Sequence, residues 1–233
     1  MRLILIRHGQ TPNNVRSLLD TAIPGPGLTA VGKQQAAAVP GALSGQVISR
    51  LYVSNLTRTT LTAAPLAADR ALDAVVRPGI REISAGSLEM RGDPDSITAY
   101  LETVKAWLGG DLSVRMPGAD TGAEVLERFD AVVAEAAAGD GRGAVAMISH
   151  GAMIRFWAGH RGTNIDWSDP KYHELSNTGI VTLDGEPGTG NAPGGWTVTD
   201  WQGAPAGGVG GTDFDGPTAD LDADAPRTGH AQD

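Results

Sequence analysis

The residues best equipped for chemistry in this chain are two histidines, each followed by glycine. His8 stands in Arg7-His8-Gly9 and His150 in Ser149-His150-Gly151. An imidazole with one nitrogen free of its proton is a nucleophile near neutral pH. Arginine offers a planar fork of donors that fits phosphate oxygens, and Arg58, one helical turn beyond Ser54, adds a second fork to that of Arg7. The chemistry these groups suit is phosphoryl transfer. A phosphate monoester is nearly a dianion, so a nucleophile reaches phosphorus only where cations and aligned donors hold that charge. In that arrangement His8 accepts the phosphoryl group, with its other ring nitrogen pinned as a donor by a nearby backbone carbonyl. Asn14 adds a neutral donor. His150 donates to the phosphoryl oxygens and, if protonated, adds positive charge.

These residues need elements to position them. Short apolar runs at 3–6, 51–53 and 144–148 read as buried strands, and each is followed by a helical pattern. Thr29 is the expected N-cap of the first helix, which should kink or end near Pro40-Gly41. Ser54 is the expected cap of the second, running to about Ala68, and Gly151 opens the third. Thr121 and Glu124 have capping-box spacing, with Leu126, Phe129, Val133 and Ala136 on one face of the helix that follows. Residues 180–183 and 196–201 read as a late strand pair. The alternation predicts an α/β fold, a three-layer α/β/α sandwich around a mainly parallel central sheet. In such sheets ligands bind at the carboxyl ends of strands, where Arg7-His8, Ser54 with Arg58, and Ser149-His150 all fall. Helix starts there favour an anion.

This ordered set resembles the histidine phosphatase superfamily, in the phosphoglycerate mutase-like branch (branch 1). The likeness spans about residues 2–183. It rests on Arg7-His8-Gly9-Gln10-Thr11 with Asn14, on Leu28-Thr29 with Gly32, Gln35 and Ala36, and on Ser54, Leu56, Arg58-Thr59, Thr62 and Ala63. Glu82 with Gly86, Ser149-His150-Gly151, and Asn177 complete it. The resemblance implies a phosphoglycerate mutase-like fold and a phosphohistidine on His8. Gly151 stands where the related acid phosphatases carry an aspartate after the second histidine. The acid that protonates the leaving oxygen must then come from the loop around Arg77 to Ile83, and Glu82 fits the family pattern. Glu89, Asp93, Asp95 and Asp120 are its rivals in the same half of the chain. The catalytic set is His8, Glu82 and His150, and the phosphate-binding set is Arg7, Asn14, Arg58 and His150.

Composition sets the bounds. With 233 residues, 41% of them hydrophobic, the chain can bury a real core. A net charge of −9 without basic clusters argues against nucleic acid and membrane surfaces as partners, and it leaves room for the small phosphorylated metabolite that the resemblance implies, since a pocket sets its own local field. The absence of cysteine removes disulfides, thiolate metal sites and thiol nucleophiles. Neither His8 nor His150 has a second ligand at metal spacing nearby, so no metal and no cofactor is expected. The apolar run after Met1-Arg2 is too short for a signal peptide, and the default location is cytoplasmic. Residues 1–203 read as the phosphatase domain. Residues 204–233 carry six aspartates against Arg227 alone and few large apolar side chains, so a disordered acidic tail is expected. His160, His173 and His230 lack any such context and read as ordinary polar side chains. Asp120 and Glu124 read as helix-start residues, and Ser54 as a cap only.

The function expected is a metal-independent phosphomonoesterase, with cofactor-dependent phosphoglycerate mutase as the alternative and a catalytically silent binding module behind both. A mutase must also grip a carboxylate and exclude water. Glu82 is followed by Ile83-Ser84-Ala85, without the Arg and Tyr of the mutases, and the interval to His150 is short. Arg91, Lys105 and Arg115 are the cations left for a carboxylated substrate, and residues 87–122 are the expected specificity wall.

Overall fold

The computed structural model describes residues 1–139, 142–188, 195–210 and 216–218. Its strands are β1 (Arg2–Arg7), β2 (Ile48–Val53), β3 (Ala74–Val76), β4 (Ala144–Ser149), β5 (Ile180–Gly185) and β6 (Trp196–Gln202). Its α-helices are α1 (Pro12–Val15), α2 (Ala30–Ala42), α3 (Thr57–Arg70), α4 (Pro94–Leu108), α5 (Gly122–Ala137) and α6 (Gly151–Arg161).

The strands form one six-stranded sheet in the order β3-β2-β4-β1-β5-β6. β3, β2, β4 and β1 run parallel, while β5 is antiparallel to β1 and β6 to β5. Side chains alternate across the sheet, so each central strand feeds two cores. Leu3, Leu5, Val145 and Met147 pack with Tyr100, Trp107, Phe129 and Trp157 from α4, α5 and α6. Ile4, Ile6, Ala146 and Ile148 pack on the opposite face with Val39, Ala63 and Leu66 from α2 and α3 and with Leu43 just after α2. That double burial is why these strands read as continuous apolar runs, and it makes the fold the expected three-layer sandwich.

Register fixes the site. Arg7 of β1 pairs with Ser149 of β4, and Val53 of β2 pairs with Ile148. His8, His150 and Ser54 therefore leave three adjacent strands side by side.

Several local expectations hold in detail. Thr29 caps α2 by accepting from the Gly32 N–H, and Thr121 with Glu124 forms a reciprocal capping box on α5. α2 runs through Pro40 and ends at Ala42, close to the expected stop at Pro40-Gly41, since a proline in the last turn forfeits only one backbone bond. α3 runs to Arg70, near the expected end at Ala68, but its N-cap is Leu56, not Ser54, which corrects that expectation. β3 and α4 were not among the expected elements, although α4 carries an Asp93 cap and Pro94 at its first position.

Of the stretch expected to be a tail, residues 204–210 lie against the fold. Ala206 is buried, and its N–H donates to Thr178 Oγ1 at 3.1 Å. Gly216 and Pro217 are also buried. The rest of that stretch, with His230, lies outside the described residues. Among the described residues no helix is long and apolar enough to cross a membrane.

Candidate active site

His8 follows β1 directly, and its backbone is held on both sides. Its N–H donates to the Ser149 carbonyl (3.0 Å), and its carbonyl accepts from Asn177 Nδ2 (2.9 Å). Its Nδ1 lies 2.8 Å from the Gly9 carbonyl. A carbonyl can only accept, so Nδ1 carries the proton and Nε2 keeps its lone pair. Gly9 has no room for a side chain, since a Cβ there would stand 2.6 Å from the Gly32 carbonyl at the start of α2. The Gly9 N–H donates to Thr62 Oγ1 and the Gln10 N–H to Gln35 Oε1, at 2.9 and 2.8 Å. α2 and α3 thus brace the loop behind the histidine.

The His150 ring sits 5.2 Å from the His8 ring, at 60° between planes. Its Nε2 lies 2.8 Å from Ser54 Oγ, while Nδ1 is buried and meets no hydrogen-bond partner among the described residues. Ser54 was expected only to cap a helix. Its hydroxyl instead orients the second histidine, with Thr59 Oγ1 3.0 Å behind it. Burial pushes both imidazoles well below the usual histidine range, and the positive charge of Arg58 and Arg7 pushes them further. Both rings are therefore neutral here, including His150.

Arg7 and Arg58 are both buried. Arg7 Nη1 donates to the Leu175 carbonyl (2.6 Å). Arg58 Nη2 donates to the Asp20 carbonyl (3.0 Å), and Nη1 lies 3.8 Å from the Asp20 carboxylate. Asn14 does two things. Its Oδ1 accepts from the Thr11 N–H in a capping box on α1, and its side chain lines the pocket.

Glu82 is buried, six residues past β3. Its carboxylate accepts from the N–H groups of Ile83 (2.9 Å), Met153 (2.9 Å) and Ala152 (3.4 Å). The last two are open donors at the start of α6, a turn whose dipole favours an anion. One small pocket is lined by His8, Thr11, Asn14, Leu18, Leu19, Asp20, Thr21, Arg58, Glu82 and Tyr100, with Pro217 and Thr218 from far along the chain. With His150 against His8 and Arg7 beside Gly151, the six residues named from the sequence converge on one place.

A sequence model of the histidine phosphatase superfamily (branch 1) matches residues 3–197. The chain belongs to that superfamily. Among its relatives is the PE-PGRS family protein PE_PGRS11 of Mycobacterium tuberculosis, 37% identical over 87% of this chain and 36% of that protein. The adenosylcobalamin/alpha-ribazole phosphatase of Escherichia coli is 36% identical over 46% of this chain and 52% of its own. The chain thus spans about a third and about half of these two curated relatives. A mycobacterial glucosyl-3-phosphoglycerate phosphatase solved with VO3 superposes with a TM-score of 0.68 at 22% identity, covering 87% of this chain and 99% of its own.

Within this histidine phosphatase chain the rival carboxylates are engaged elsewhere. Glu89 accepts from the N–H groups of Thr21 and Ala22, at 2.9 and 3.0 Å. Asp93 caps α4, and Asp120 pairs with Arg81. Asp95 lies in the first turn of α4. His160 and His173 each bond a tryptophan carbonyl, of Trp107 and Trp167, away from the pocket. Sequence reasoning missed Asp20, Thr21, Tyr100, Pro217 and Thr218 as pocket residues, and Ser54 and Asn177 as supports. Tyr100 had a signal, since Tyr100, Val104 and Trp107 have helical spacing. Pro217 and Thr218 had none.

Proposed function

We propose that this chain is a metal-independent phosphomonoesterase acting on a small phosphorylated metabolite through phosphohistidine at His8. The observation that carries the reading is the state of His8, a neutral imidazole whose Nδ1–H is taken by Gly9, set among Arg7, Arg58 and a second neutral histidine. Nε2 of His8 attacks phosphorus while the P–O ester bond breaks, and Glu82, having taken a proton from solvent as the phosphate dianion binds beside it, delivers that proton to the leaving oxygen. Arg7, Arg58 and Asn14 hold the phosphoryl oxygens. Ser54 Oγ–H donates to Nε2 of His150, which leaves Nδ1–H of that ring to donate to the same oxygens. In the second half Glu82 takes a proton from water, the water oxygen bonds phosphorus, the P–N bond breaks and phosphate leaves.

Some relatives at about 30% identity are named probable phosphoglycerate mutases, while the Escherichia coli relative and the superposed mycobacterial structure are named phosphatases, and the latter names support transfer to water. So does the placement of Arg91, Lys105 and Arg115, which pair with Asp93, Glu102 and Glu124 and do not line the pocket, so that among the described residues its lining holds no cation beyond Arg58 for the carboxylate a mutase must grip.

The test is phosphate release from a panel of phosphorylated sugars, acids and amino acids with excess chelator, beside His8→Ala. Turnover that survives chelator and falls by roughly 10⁴-fold or more in His8→Ala is expected. Interconversion of phosphoglycerates with no phosphate released would replace the phosphatase by a mutase. Activity lost to chelator alone would make the reaction metal-dependent.

A further inference from the structure

Arg128 lies on α5, outside the pocket, and turns its guanidinium to the loop that carries Glu82. Nη1 donates to the carbonyls of Gly79 (2.6 Å) and Arg81 (2.7 Å), and Nη2 to that of Glu82 itself (3.0 Å). Helix and loop touch closely, because a Cβ on Gly79 would stand 2.4 Å from the Arg128 carbonyl. Burial lowers the Arg128 guanidinium to about 10, so it stays charged at neutral pH. Hydrogen bonds from a charged donor are stronger than neutral ones, and one planar fork here gathers three carbonyls from a four-residue turn.

We propose that Arg128 is a positioning residue for the general acid, fixing the backbone from which Glu82 reaches the leaving oxygen. This rests on the reading of Glu82 as that acid. The carboxylate has its own anchor on the N–H groups of Ala152 and Met153. Without Arg128 the backbone of the turn can shift while the carboxylate stays at α6, so the reach of the side chain changes. A drift of about 1 Å is enough to cost roughly 100-fold when a proton must pass within hydrogen-bond distance.

The experiment compares kcat/KM of the full chain for 2-glycerophosphate, whose alkoxide needs a proton to leave, and p-nitrophenyl phosphate, whose phenolate does not. Arg128→Met should lose roughly 10- to 100-fold on the alkyl ester and about threefold or less on the aryl ester. Arg128→Lys, which keeps the charge but not the fork, should fall between Arg128→Met and wild type, and it carries the comparison if Arg128→Met does not fold. Glu82→Gln is measured in parallel and should show the same asymmetry. Equal losses on both esters in the Arg128 variants, with asymmetry in Glu82→Gln, would make Arg128 merely structural and overturn the proposal. No asymmetry in Glu82→Gln would remove the acid assignment, and the role of Arg128 with it.

Discussion

His8 and Glu82 line one pocket and His150 stands against His8, but the histidines and the glutamate are held in different ways. His8 and His150 leave neighbouring parallel strands directly, and the ladder between Arg7 and Ser149 sets their separation. Glu82 sits on a non-strand loop six residues past β3 and owes its place to α5 on one side and α6 on the other. The nucleophile side is thus built by the sheet, and the acid side by contacts between distant helices. Substitution on the first side should damage charge stabilisation for every substrate, and on the second should damage the step that depends on the leaving group.

The largest effect that would sharpen this contrast is expected at Arg58. Arg58→Ala should lower kcat/KM by roughly 10²- to 10³-fold for alkyl and aryl esters alike, since it removes a phosphate donor. A loss confined to alkyl esters would place Arg58 with the acid instead and break the comparison.

The histidines predict a pH effect on stability. Both are held below the unfolded histidine value of about 6.5. As pH falls from that value toward the depressed folded ones, the unfolded chain binds protons that the folded chain refuses. Stability should therefore decline on acidification, by at most about 1.4 kcal/mol per pH unit for each histidine. Urea unfolding between pH 7 and pH 5 measures this, and His8→Gln should flatten the curve. An unchanged slope in that variant would mean that His8 titrates freely.

The smallest effect is expected at Ser54. Ser54→Ala leaves Nε2 of His150 without its hydroxyl and should lower kcat/KM roughly tenfold, about 1.4 kcal/mol, on both ester types. Wild-type kinetics in Ser54→Ala would return Ser54 to a purely local role.

The same contrast explains what was legible in the sequence. Residues 3–6 and 144–148 announce themselves because a strand buried on both faces has no polar alternation. The glycines after His8 and His150 then mark where each chain leaves the sheet. Arg58 follows from one helical turn after a strand end. Glu82 could be named only through family likeness, because nothing in its neighbours says that Arg128 and the start of α6 will enclose it. Ser54 misled in the other direction, since the helix after it takes Leu56 as its N-cap. Pro217 and Thr218 reach the pocket from far along the chain, and no local pattern encodes a contact of that kind.

The pairing of Arg7 with Ser149 also bears on how such a protein can vary. Because side chains alternate along a strand, one residue inserted into β1 or β4 would reverse the facing of everything beyond it and separate the two imidazoles. Changes around Tyr100, the one residue of 87–122 that lines the pocket among the described residues, would alter its wall and leave that spacing alone. Selection can reshape what the pocket admits without disturbing how it reacts.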